Sequence, residues 1–170
     1  MICPACGSEN IDGVVDCATC SQPLSDLTLS EPATAVERSL LVDRVAVLSP
    51  KTAVHTPPHT PVRDVLAMLV DRGIGCVVVA DAGKPVGVFS ERDALVKLGA
   101  NAGERGARPV SEFMTPDPET LEVGAKLAFA LQRMDVGGYR HLPIVDDAGT
   151  LTGVISVRDI LRYLADKLAN

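Results

Sequence analysis

The segment AGKPVGVFSERDAL at residues 82–95 returns at residues 148–161 as AGTLTGVISVRDIL, aligned without a gap and identical at eight of fourteen positions. Agreement that dense over so short a window marks an internal duplication, so the chain carries two copies of one supersecondary unit. Reading outward from each copy gives the same series of elements. In the first copy, Thr60 and Pro61 are placed to cap and open a helix. Val62, Val65, Leu66, Leu69 and Val70 then recur at helical spacing until Gly73 ends it. In the second, Thr120 opens a helix whose apolar positions include Leu121, Leu127, Ala128, Leu131 and Met134, and Gly137 and Gly138 stop it. A buried strand follows at 76–80 or 142–145, then an Asp-Ala-Gly turn, a second strand at 85–89 or 151–155, and a helix starting at Ser90 or Ser156. Neither copy covers its own sheet well.

The whole chain has 170 residues, 46% of them hydrophobic, which suits one domain of ordinary size plus a small appendage. The formal charge of −6 works against a broad grip on a nucleic-acid backbone or an anionic membrane, so neither is expected as a partner. With no Trp, two Tyr and three Phe, there is also little from which to build a stacking platform for single-stranded bases. No apolar run reaches the length of a membrane span, and Cys3 and Cys6 stand where a secretory signal would begin. The expected location is the cytoplasm, where thiols stay reduced and paired cysteines point to metal more readily than to disulfides.

Residues 3–20 read CPACGSENIDGVVDCATC, two CxxC pairs formed by Cys3 with Cys6 and Cys17 with Cys20. Two residues between thiols let the backbone turn tightly enough for both sulfurs to face one ion, and Gly7 relieves crowding at the first turn. A redox dithiol would want a surrounding βαβ pattern, and disulfides an oxidising compartment. Four thiolates close a tetrahedron and leave no open position, so the expected ion is a structural Zn2+ on which a segment too short for its own core depends for folding. The stretch resembles the zinc-ribbon knuckles of many prokaryotic proteins, where they act as adaptors or docking elements. After it, residues 21–30 read as a polar linker, and Ser30, Glu31 and Pro32 are placed to cap a helix running to about Asp43.

The repeats themselves resemble the CBS domain family over roughly residues 45–170. The resemblance is carried by GVFSERD at 87–93, GVISVRD at 153–159, YRHLPIVD at 139–146 and FMTPDPETL at 113–121. It implies an α/β (α+β) fold of two β-α-β-β-α repeats packed as a pseudo-two-fold pair, beside the small N-terminal zinc ribbon. The boundaries expected are a ribbon at 1–24, a linker and helix at 25–44, a first repeat at 45–100 and a second at 101–170. A flat homodimer through the helices is implied as well.

Residue chemistry suggests where a ligand would lie. Gly87 and Gly153 sit in strands where a Cβ would obstruct anything crossing the backbone. Ser90 with Asp93, and Ser156 with Asp159, have the spacing of a capping box, a structural role that does not exclude binding. An Asp in the first helical turn repels a phosphate set against it but suits a ribose diol, while a neighbouring Arg suits phosphate. The CBS resemblance implies the same assignment: Asp93 and Asp159 on ribose hydroxyls, and Ser90, Arg92, Ser156 and Arg158 near the phosphates, with adenine between apolar strand residues. Tyr139, Arg140, His141 and Pro143 add to the second site. The first repeat has Gly75 and Cys76 where the basic pair stands and CVVVAD in place of HLPIVD, so unequal sites are expected, the one at Asp159 being tighter.

Other residues read more plainly. His55 and His59 in HTPPHT lack thiol or acidic partners at ligand spacing and are expected at the surface; Cys76 is a small core residue; Met68 and Met134 fill a core or interface. Two functions from different classes follow. One is a non-enzymatic regulatory module that binds an adenosine nucleotide (AMP, ADP or ATP), S-adenosylmethionine or a dinucleotide between its repeats and so alters contact with a protein partner. The other is a ligand-independent dimeric scaffold whose zinc ribbon docks a partner.

Overall fold

The computed structural model describes every residue except Met1, Pro4, Asp12, Gly13, Val15, Pro23, 25–33 and Asn170. In chain order the helices are α1 (Ala35–Val42), α2 (Val62–Arg72), α3 (Glu91–Asp93), α4 (Ala102–Arg105), α5 (Leu127–Gly137) and α6 (Val157–Ala169). The strands are β1 (His55–Thr56), β2 (Cys76–Asp81), β3 (Lys84–Ser90), β4 (Thr115–Pro116), β5 (Leu121–Glu122), β6 (His141–Val145) and β7 (Leu151–Ser156). They form a mixed α/β fold with one sheet of four strands and another of three. The chain divides into two compact units. One contains Met1–Pro50, Leu121–Arg140 and Ser156–Asn170, and the other Lys51–Thr120 and His141–Ile155.

In the second of these units, the four-stranded sheet runs β1-β2-β3-β4, with β1 parallel to β2 and the other pairs antiparallel. Strand β2 is buried along CVVVA because helix α2 presents Val62, Val65 and Leu69 to one core with Val77, Val79, Phe89, Leu98, Val110 and Phe113. The β2–β3 hairpin turns through Ala82 (φ 46°) and Gly83 (φ 81°), the two left-handed residues a tight hairpin needs. The corresponding β6–β7 loop is different. It has one residue more and is closed by the Asp146 side chain, which accepts from Ala148 N at 3.0 Å and Thr150 N at 2.8 Å.

In the first unit, α1 packs on α5 and α6. Val45, Leu121, Ala125, Leu127, Phe129, Ala130, Met134 and Ile160 are its buried apolar residues outside the cysteine segment. The segment around Val45 bonds to the stretch before α5 through Val45 N to Ala125 O, Ala46 N to Val123 O and Leu127 N to Asp43 O, at 2.9–3.0 Å. The Tyr163 hydroxyl donates to Asp43 at 2.6 Å and ties α6 to the end of α1.

The strands, the α2 stop at Gly73 and the helix starting after Ser156 agree with the sequence reading. Several local expectations do not. Thr60 does not cap α2; its hydroxyl pairs with that of Thr56 at 2.7 Å, and the helix starts at Val62 just after Pro61. Thr120 opens no helix, because Leu121 and Glu122 form β5 and α5 begins only at Leu127. A helix proposed at Ser30 has its start outside the described residues; the described α1 is capped by Thr34, in a full capping box with Glu37. Within the stretch read as a linker at 21–30, Leu24 is buried with Cys3 and Cys17, and residues 25–30 lie outside the described residues.

Gly87 explains itself differently from the sequence reading. A Cβ there would lie 2.2 Å from Met114 Sδ, so what crosses this backbone is the chain's own methionine. Gly87→Ala is expected to cost roughly 1–3 kcal/mol by overpacking. Urea denaturation should show that loss largely recovered in Gly87→Ala/Met114→Ala, relative to Met114→Ala alone.

Candidate functional site

Both duplicated corners are built the same way. As β3 ends, Ser90 takes extended angles and caps α3: Asp93 N donates to Ser90 Oγ at 3.3 Å, while Ser90 N and Ser90 Oγ donate to Asp93 Oδ2 at 2.9 and 2.6 Å. As β7 ends, Ser156 N and Oγ donate to Asp159 Oδ2 at 2.8 and 2.6 Å. A matching backbone bond seats each corner against the preceding strand start, from Glu91 N to Gly75 O at 3.1 Å and from Val157 N to Arg140 O at 2.9 Å. Gly75 and Arg140 are therefore equivalent positions, as the repeat alignment implied. The two aspartate side chains are similarly sheltered, 12% and 11% exposed.

The corners differ in what else meets the carboxylate. Lys97 Nζ lies 2.8 Å from Asp93 Oδ1, and Thr115 Oγ1 of β4 donates to that oxygen at 3.1 Å. Burial pushes the Asp93 carboxyl up, but Lys97 and the two Ser90 donors outweigh it, so the group is held below its ordinary value. Asp159 has Arg162 at 3.5 Å, an exposed side chain. Neither Lys97 nor Thr115 was singled out in the sequence. The Asp93–Lys97 spacing of four is the ordinary helical ion-pair signal, but Thr115 reaches the corner only through strand pairing, Val88 lying opposite it.

The other candidate residues differ in exposure. Arg92, Arg158 and Arg140 are exposed, Ser90, Ser156, Tyr139 and His141 are half-buried, and Pro143 is buried within β6. The Tyr139 ring folds back over Gly137, where a Cβ would meet it at 2.0 Å. The His141 imidazole, read from the sequence as part of the second site, stands against Gly75 of the first repeat, with Nε2 2.9 Å from where a Cβ would be. His55 and His59 are exposed. Cys76 is buried and its thiol is pushed up to about 12 by desolvation and by Glu91, the state of a core residue rather than a nucleophile.

The four N-terminal cysteines converge as their spacing predicts. The sulfurs of Cys3, Cys6, Cys17 and Cys20 all lie within 4.8 Å of one another, with Cys3–Cys20 at 3.7 Å and Cys6–Cys17 at 3.6 Å. Those edges fit a tetrahedron around an ion bonded at about 2.3 Å, whose sulfurs stand about 3.8 Å apart. Each pair sits in a similar turn, Gly7 N to Cys3 O at 2.8 Å and Ser21 N to Cys17 O at 2.9 Å, with Gly7 (φ 75°) and Ser21 (φ 55°) both left-handed. The Ser8 hydroxyl, 2.8 Å from Cys6 and 3.3 Å from Cys17, draws both thiols down, Cys17 to about 5. Burial pushes Cys3 up and Cys20 up to about 12, so those two favour the thiol form, and an ion held at this spacing would have to draw their protons off. The set could hold a metal ion.

The pattern of the family described as CBS domain matches this chain twice, at residues 45–100 and 110–166. An uncharacterised 17.7 kDa protein of Acidianus ambivalens is 33% identical over 110 residues, which is 64% of this chain and 65% of that protein, less than two thirds of its length. Among solved structures, CBSX2 in complex with AMP is 25% identical with a TM-score of 0.62, covering 75% of this chain and 98% of that one. The CBS domain pair of MJ0100, in complex with 5′-methylthioadenosine and S-adenosyl-L-methionine, shares the fold at 21% identity and a TM-score of 0.64, covering 74% and 98%. Among the described residues, no helix is long and apolar enough to cross a membrane.

The lowered Asp93 carboxyl has a consequence for stability. A folded-state value below the unfolded one adds stability that is present above about pH 4 and is lost as pH falls through the folded value. Asp93→Asn is expected to cost roughly 2 kcal/mol at pH 7. Urea titrations at pH 7 and pH 3 should show that difference from wild type shrinking at the lower pH.

Proposed function

The chain belongs to the CBS-domain family, and we propose on that footing that it is a regulatory adenosine-nucleotide-binding module rather than an enzyme. The observation that carries this reading is the pair of matched strand-to-helix corners, each presenting a sheltered carboxylate bonded to its own serine. A carboxylate in that setting is suited to a ribose diol, whose two neighbouring hydroxyls can both donate to it. Asp159 and Asp93 take the ribose; Ser156, Arg158, Ser90 and Arg92 lie on the phosphate side; Tyr139, Arg140, His141 and Pro143 line the approach. The AMP held by CBSX2 and the adenosyl compounds held by the MJ0100 pair support the ligand class.

The four cysteines hold one structural Zn2+, which would supply the folding energy that the knuckle lacks and leave no position for catalysis. The domain plan is a knuckle over residues 1–24, a connecting helix, and repeats over 45–100 and 101–170. The module acts in the cytoplasm as a homodimer, with ligand altering its contact with a protein partner. A second reading, a ligand-independent scaffold, draws on the same corners, because each aspartate is bonded to the serine that begins its helix.

Thermal denaturation separates the two readings. A compound that binds the native state raises its melting temperature, so AMP, ATP or S-adenosylmethionine at a hundredfold excess over Kd should stabilise the protein by about 2.7 kcal/mol. No shift with any of them selects the scaffold. In calorimetry with AMP, Asp159→Ala should lose at least tenfold in affinity and Asp93→Ala much less; equal losses count against the unequal-site reading.

Metal content gives an independent check. Elemental analysis should find one zinc per chain, and Co2+ substitution should give thiolate charge-transfer absorption that is lost in Cys20→Ser. Acidification should release the ion, since the ligands must be deprotonated to hold it.

A further inference from the structure

Asp93 in the first corner has no acceptor capacity left. A carboxylate offers about four lone-pair sites, two on each oxygen. Ser90 N and Ser90 Oγ occupy Oδ2, and Lys97 Nζ and Thr115 Oγ1 occupy Oδ1. The lysine is matched in return. Its three N–H donors meet three acceptors, Asp93 Oδ1 at 2.8 Å, Met114 O at 2.8 Å and Thr115 Oγ1 at 3.4 Å. This is a closed network, and a ribose hydroxyl can reach Asp93 only by displacing a member of it.

The backbone is shaped to hold the lysine there. Residues Ala94–Leu98 form a π turn, closed by Gly99 N donating to Ala94 O, and the Arg105 guanidinium donates to the Lys97 carbonyl. In the second repeat the equivalent stretch lies inside the regular helix α6. The position that aligns with Lys97 is Tyr163, whose hydroxyl donates to Asp43 at 2.6 Å. The same place in the duplicated unit thus carries a cation directed at the carboxylate in one copy and a phenol directed elsewhere in the other.

We propose that Lys97 is a specificity-determining residue that closes the first corner to a ribose diol by occupying Asp93 from within the chain. Thr115 assists it from β4. The consequence is one adenosine ligand per chain, with the first corner serving to bind β4 and the following π turn together. This inference rests on the reading of the corners as ribose sites and narrows it to one of them.

The test is AMP calorimetry in the Asp159→Ala background, with far-UV circular dichroism on each variant. Lys97→Met keeps the aliphatic stem and removes the three donors. Asp159→Ala/Lys97→Met should bind AMP at least tenfold more tightly than Asp159→Ala, and adding Asp93→Asn should erase the gain. Should Lys97→Met fail to fold, Thr115→Val, which removes the other donor from the same oxygen, should raise affinity in that background at least threefold. A folded variant that binds AMP no better than Asp159→Ala overturns the proposal. If wild type binds AMP and that gain is missing, only the role of Lys97 falls; if neither wild type nor Lys97→Met binds any adenosine compound, the ribose reading falls with it.

Discussion

A chain leaving a strand for a helix exposes backbone N–H groups that the helix itself cannot satisfy, and in this protein a serine and an aspartate three residues later meet that need at both duplicated corners. The serine-to-aspartate bonds fix the direction in which each helix departs, and each carboxylate sits in a sheltered position. The bonds from Glu91 to Gly75 and from Val157 to Arg140 then anchor the corner to the strand before it. Once these angles are set, α2 can cover the four-stranded sheet with Val62, Val65 and Leu69, and the apolar run of β2 has somewhere to be buried. A cap of this kind therefore also decides where each carboxylate stands.

Duplication repeats the scaffold without repeating every detail. One residue more in the second hairpin replaces a tight turn by a loop organised around Asp146, and five residues wound as a π turn replace a stretch of regular helix. Each change is small in backbone terms. Their effect on chemistry is larger, because a side chain four residues after the capping aspartate reaches the carboxylate in one repeat and Asp43 in the other. Copies that share a fold can in this way direct the equivalent side chain to different partners.

The cysteine knuckle obeys a separate logic. Among the described residues its buried apolar cluster is Cys3, Cys17 and Leu24 with a few partly buried neighbours, a small core to set against chain entropy. Its order comes instead from paired turns that bring four sulfurs to tetrahedral spacing, with the Ser8 hydroxyl favouring the ionised form of two of them. Such an arrangement could hold a metal ion, while further along the chain Asp43, at the end of α1, is bound to Tyr163 of α6.

The repeat, the order of strands and helices, the serine–aspartate spacing and the two CxxC pairs were legible in the amino-acid sequence, because each depends on residues close together along the chain. Periodicity and capping are local, so β2, β3, β6, β7 and the start of α6 stood where they were expected. Where local signals competed, the sequence misled. Thr60 and Thr120 have capping chemistry, but one is drawn to Thr56 and the other precedes a short strand. What only the tertiary structure decided is which distant groups meet: Met114 across Gly87, His141 against Gly75, and Thr115 on Asp93. Those meetings are set by strand register and by the path of the chain between elements, and neither leaves a mark in the spacing of residues along the chain.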